Sequence, residues 1–157
     1  MKRLSWKYLA GLIDGEGCID FQRGKDTGFG LYIRPRVRIT LVDHAEPLLR
    51  NVQNNFGGQL TRRKGKGTFS DSWTWSITSK AHTLSFLTKI NKHLIIKKQQ
   101  ALFAIYWLEN MCGRHKSSEG YQKIEKIRRY AYEEMKRLKR DSQRLSERAI
   151  QAIELMR

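Results

Sequence analysis

The sequence predicts an α+β fold: a four-stranded antiparallel sheet with helices on one face, in the order α-β-β-α-β-β-α, followed by further helices toward the C-terminus. Three observations predict it. Residues 5–15, 44–56 and 79–90 carry apolar side chains at helical spacing, and between them lie two pairs of segments with strand character, each pair split by a Gly-rich basic turn. From residue 94 onward the apolar period is helical throughout. Helices that separate hairpins bury the most apolar surface when the strands join one sheet and the helices cover one side of it.

Each element has its own signal. In "SWKYLAGLIDG" Trp6, Leu9 and Ile13 share a stripe, with Ser5 placed to cap the helix. "CIDFQR" and "LYIRPRVRITL" flank the turn "GKDTGFG", and the second of them alternates apolar and polar residues with a period of two. Pro35 donates no N–H, so that strand is expected to have a free edge or a break in its ladder there. "HAEPLLRNVQNNF" is the second helix, with Asp43 as its cap, Leu48, Leu49, Val52 and Phe56 inward, and Gly57 and Gly58 as its stop. "GQLTRRKGKGTFSDSWTWSIT" supplies two more strands and "SKAHTLSFLTKI" a helix capped by Ser79. "LIIKKQQALFAIYWLENM", residues 119–139 and residues 143–156 complete the helical part, with "CGRHKSSEG" as the linker-like loop. Residues 1–112 are expected to form the core and 113–157 a helical extension of the same domain.

Charge narrows the partner. The chain has 31 Lys+Arg against 15 Asp+Glu, a net charge of +16. Such a surplus seeks a polyanion, and nucleic acid leads because cations that neutralise phosphates release condensed counterions. No membrane role is expected: no apolar run approaches the roughly 20 residues of a spanning helix. The start "MKRLSWKYLAGLID" lacks a signal-peptide cleavage pattern, so an intracellular protein is expected. Cys18 and Cys112 form no CxxC pair, and His44, His82, His93 and His115 fall into no metal-binding spacing.

Arg34, Arg36 and Arg38 occupy every second position of one strand and so leave one face of the sheet, opposite Ile33, Val37 and Ile39. Same-face residues are about 6.6 Å apart, close to two base-pair steps, so the strand can follow a groove. Gln22, Arg62, Lys64, Ser72, Thr74 and Ser76 are expected to add polar groups, while Trp73, Trp75 and Ile77 turn inward. A merely solvated face would be as well served by mixed charge; three aligned arginines favour one that reads an anion.

"LAGLIDGEG", residues 9–17, joins an apolar helix to two acids, Asp14 and Glu16, set between glycines. Acids oppose the helix dipole at a C-terminus. Two readings fit. Either a hard cation such as Mg²⁺ rests on the carboxylate and backbone oxygens, or this is an ordinary helix end with Gly15 and Gly17 in left-handed caps and solvated acids. Gly11 and Gly15 lie on one side of the helix, where a second copy could approach closely and bring two Glu16 carboxylates together.

This nonapeptide resembles the signature of the LAGLIDADG homing endonucleases, departing from it at Gly15 and Glu16, and "HLIIKKQQA" is similar to that family's lysine-bearing segment. The resemblance spans roughly residues 5–112 and includes the order of elements, which it identifies with the homing-endonuclease core. It implies that Glu16 and the Gly15 carbonyl hold divalent metal: Mg²⁺ or Mn²⁺ in catalysis, with Ca²⁺ as a non-catalytic substitute. Asp14, beside Gly11, would be a structural acid fixing the paired helices, and Lys97, with Lys98 as alternative, the basic residue near the scissile phosphate that perturbs the water network or stabilises developing charge. Leu41 stands where the family often has a water-positioning Gln. One motif implies a homodimer through the LAGLIDGEG helix that makes a staggered double-strand break in a long pseudo-palindromic DNA site, serving intron mobility. The alternatives are an intron maturase gripping RNA, or a cleavage-inactive DNA-binding protein on the same fold.

Overall fold

The computed structural model of the chain describes residues 3–26, 30–65, 67–68, 70–111, 118–141 and 147–155. Helix α1 (Trp6–Glu16) starts where the Ser5 hydroxyl accepts the Tyr8 N–H, and it buries Leu9, Ala10 and Ile13. It passes directly into strand β1 (Gly17–Asp26). Gly17 is extended, with φ −82°, and is therefore no left-handed cap. A Cβ there would lie 2.7 Å from the Ile13 Cα, so only glycine lets the strand leave the helix this closely.

Strand β2 (Gly30–Val42) pairs antiparallel with β1; after a single 3-10 turn, Asp43–Ala45, come α2 (Glu46–Phe56), β3 (Gln59–Arg63), β4 (Ser72–Ile77) and α3 (Lys80–Ile90). Among the described residues the sheet has the order β1-β2-β4-β3, antiparallel throughout. Pro35 pairs with Phe21 of β1, and the β4 ladder begins only at Val37, so Pro35 sits where β2 has lost one of its neighbours. Asp43 does not cap α2. Its carboxylate accepts the Arg62 guanidinium and the Trp73 Nε1–H, and Glu46 with Pro47 begins the helix. Gly57 and Gly58 stop α2 in backbone conformations with φ of 71° and 94°.

Helix α4 (Lys98–Asn110) begins four residues later than its apolar pattern predicts, because residues 95–97 are drawn out of helical geometry by hydrogen bonds to Asp14. Its Phe103 and Trp107 pack on Phe21 at 5.6 Å between ring centroids. Trp75, wholly buried, donates its indole N–H to the Gly57 carbonyl. Helices α5 (Ser118–Asp141) and α6 (Glu147–Leu155) follow. Ile127, Ala131, Met135 and Leu138 of α5 and Ile153 of α6 are buried in the same apolar cluster as the sheet. No helix among the described residues is long and apolar enough to cross a membrane.

Candidate active site and nucleic-acid interface

The free face of α1 ends at the acids. Tyr8, Gly11, Gly15 and Glu16 are exposed, and a Cβ added at Gly11 or Gly15 would meet nothing within 4 Å. Among the described residues, then, no neighbour requires glycine at either position. Asp14 turns the other way. Its carboxylate accepts the Ile95 N–H at 2.8 Å and the Lys97 N–H at 2.9 Å, 81 and 83 residues away in sequence. Lys97 in turn donates its Nζ to the Asp14 backbone carbonyl at 2.5 Å, which brings the ammonium to the turn of α1 that carries Gly15 and Glu16. Asp14 was expected to help fix paired helices; within one chain its contacts clamp the end of α1 to the 95–97 segment. Lys98 opens α4 and is exposed.

A hard cation fits this donor set, since Glu16 offers a solvent-facing carboxylate and the helix end offers backbone oxygens. Among the described residues no group of three or more His, Cys, Asp or Glu side chains could hold an ion.

The sheet's polar face is ordered by the strand register. One row reads Cys18, Arg38, Ser76 and Gln59; the next toward the turn end of β1 has Asp20 and Arg36, then Gln22 and Arg34; on the other side lie Thr40, Thr74 and Thr61, then Val42, Ser72 and Arg63. Gln22, Arg34, Arg36, Arg38, Ser72, Thr74 and Ser76 thus share one face. Arg34 rests over the Tyr32 ring at 5.0 Å, and the Thr40 and Thr74 hydroxyls are hydrogen-bonded at 2.9 Å.

Arg62 lies elsewhere. It pairs with Trp73 on the helix side of the edge strand, where Asp43 and Asp71 bind its guanidinium, and Lys64 follows just past the strand end. Arg63 is the residue of β3 that joins the polar face. Leu60 held the signal for this: as the apolar residue of β3 it fixes the alternation and turns Arg63 outward. Asp20 was also missed, although it stands two residues before Gln22 and so shares its face.

The LAGLIDADG endonuclease family matches the chain over residues 9–109. The chain belongs to this family. Among solved structures it is similar to the homing endonuclease I-CvuI in complex with its target in the presence of Ca, at 15% identity over 96% of this chain and 93% of that one, with a TM-score of 0.72. It is also similar to the archaeal intron-encoded homing endonuclease I-Vdi141I complexed with DNA, at 18% identity over 96% and 95% of the chains and a TM-score of 0.66. Against the meganuclease I-SmaMI bound to uncleaveable DNA the values are 21%, 96% of this chain, 48% of that one and 0.61. A search of curated proteins gave no match.

Membership in the LAGLIDADG endonucleases implies DNA endonuclease activity. Leu41 pairs with Trp73 and packs against the apolar core. Its neighbour Asp43 is engaged by Arg62 and Trp73.

Proposed function

We propose that two copies of this LAGLIDADG chain pair through the free face of α1 and make a staggered break in both strands of a pseudo-palindromic DNA site, as the homing endonuclease of a mobile intron. The observation that carries this reading is the open glycine face ending in Glu16. Glycines that no described neighbour requires give a second α1 room for close approach, and a two-fold axis there brings both Glu16 carboxylates together. Ile95 and Ile96, 85% and 56% exposed, lie on the segment clamped by Asp14 and extend the apolar rim of that surface. The chain spans about half of I-SmaMI, as one of two halves would.

In this assembly each half-site lies against one sheet, with Arg34, Arg36, Arg38 and Gln22 reaching base edges and Lys64 and Arg63 meeting phosphates. Glu16 and the Gly15 carbonyl hold a divalent cation such as Mg²⁺, which supplies activation of water and neutralisation of phosphate charge. Lys97, its ammonium anchored on the Asp14 carbonyl, stabilises the negative charge that develops on the phosphate. Water adds at phosphorus, one P–O ester bond breaks, and the leaving oxygen takes up a proton.

The test is cleavage of a duplex library carrying randomised sites, incubated with the full chain and Mg²⁺, with the broken ends sequenced. A shared pseudo-palindromic sequence cut on both strands with short 3′ overhangs is expected. Ends scattered without sequence preference, or no ends at all, overturn it.

A further inference from the structure

Asp20 is an acid on the polar face of the sheet, and only 8% of its surface is exposed. Arg36, directly across the β1–β2 register, grips it side-on, Nε to Oδ1 at 2.9 Å and Nη2 to Oδ2 at 3.1 Å. Arg38 Nη2 donates to Oδ2 at 3.1 Å, the Cys18 thiol donates to the same oxygen at 3.4 Å, and Lys139 of α5 brings its ammonium to 3.9 Å. Burial pushes the Asp20 carboxyl up, but the Arg36 hydrogen bond and the Arg36 and Arg38 charges outweigh it and hold it below the ordinary carboxylate range. An ionised, surrounded carboxylate has no free edge with which to read a base itself.

Its effect falls on Arg36. The side-on grip uses Nε–H and one Nη2–H and leaves the edge formed by Nη1 and Nη2, whose parallel N–H pair matches guanine O6 and N7. Arg36 is 24% exposed, enough to present that edge and too little to swing freely. Arg34, by contrast, is exposed and rests only on the Tyr32 ring.

We infer that Arg36 reads one guanine in each half-site and that Asp20 is its positioning residue, fixing the plane of the guanidinium before DNA arrives. The inference rests on the sheet's polar face being the DNA-reading face. Asp20 also cancels one positive charge among Arg36, Arg38 and Lys139, which lowers attraction to DNA of any sequence.

The test is binding selection from a random-sequence duplex library in Ca²⁺, followed by sequencing, with the full chain as wild type, Asp20→Asn, Arg36→Ala and the double variant. The wild type is expected to show a guanine column in each half-site. Each single variant should flatten that same column by about 5- to 150-fold, the double variant no further, and Asp20→Asn should bind random duplex as well as or better than the wild type. A wild-type motif left intact by both single variants overturns the inference alone, as does Asp20→Asn lowering all columns and random-duplex binding together. Arg36→Ala, which leaves Asp20 paired with Arg38, decides the reading role even where Asp20→Asn fails to fold. A wild type that enriches no motif overturns both the inference and the reading face beneath it.

Discussion

The clamp between Asp14 and residues 95–97 makes the strongest mutational prediction. Asp14→Asn preserves the shape of the side chain but turns one carboxylate oxygen into an NH₂, which then faces the N–H of Ile95 or Lys97. One charge-assisted hydrogen bond is lost and the other weakened. Such bonds contribute about 1.5–3 kcal/mol each when well formed, and Asp14 is half-exposed, so a loss of about 2 kcal/mol is expected. For a chain of this size that lowers the melting temperature by about 4–8 °C. The larger consequence is catalytic. Lys97, proposed to stabilise charge at the phosphate, depends on the clamp for its backbone position, and a catalytic group displaced by about 1 Å loses on the order of 100-fold in rate. Single-turnover cleavage on a saturating selected site, with thermal melting and DNA binding measured in parallel, checks all three quantities. The expected pattern is a slower cut, a lower melting temperature and nearly unchanged DNA affinity, because the sheet is untouched. Wild-type rate and melting temperature in Asp14→Asn would refute the clamp, and a rate loss matched by an equal loss of DNA affinity would refute its catalytic role.

Gly11→Ala should act in opposite directions on the two levels of structure: within one chain its methyl meets nothing and helix propensity improves by up to about 1 kcal/mol, while the pairing of two α1 helices weakens. Light scattering across a dilution series should show the dimer dissociating at higher concentration than wild type; an unchanged dissociation constant would mean that Gly11 is not at the contact. Asp20 has its pKa depressed by folding, so its stabilisation is complete above the ordinary value of 3.8 and disappears as pH falls through the lower folded value. Asp20→Asn should therefore melt lower at neutral pH, by roughly 1–3 kcal/mol for these partly exposed partners, and lose less stability on acidification than wild type. Parallel melting curves of the two proteins from pH 7 down to pH 3 would contradict this.

Local pattern carried most of the fold. The α1 stripe, the alternation through Arg34, Arg36 and Arg38, and the buried parity of Trp75 and Ile77 are set by side-chain periods of 3.6 and 2, which one sequence displays directly. Where reading by pattern stopped, a distant partner had decided the outcome. Asp43 looks like a helix cap until Arg62 and Trp73 claim its carboxylate, and residues 94–97 look helical until Asp14, more than eighty residues upstream, takes the N–H groups of Ile95 and Lys97. Arg62 and Arg63 look alike as neighbours, and it is the alternation set by Leu60, kept in the register of β3 against β4, that turns one to the helices and the other to the polar face. The acid proposed for the site, Glu16, stands in a contiguous motif that one sequence displays; the Asp20 cluster does not, because it is assembled across β1, β2 and α5.

In the proposed dimer each of two paired chains contributes one Glu16 and cuts one strand. Wild-type and Glu16→Gln proteins, mixed, re-equilibrated and added with Mg²⁺ to a supercoiled plasmid bearing a selected site, test it most directly. With plasmid in excess, mixed dimers should nick, so early in the reaction the mixture should hold more open circles relative to linear DNA than wild type alone does, while Glu16→Gln alone binds without cutting. The same ratio of open circles to linear DNA in the mixture as with wild type alone, or cutting by Glu16→Gln alone, would contradict this arrangement.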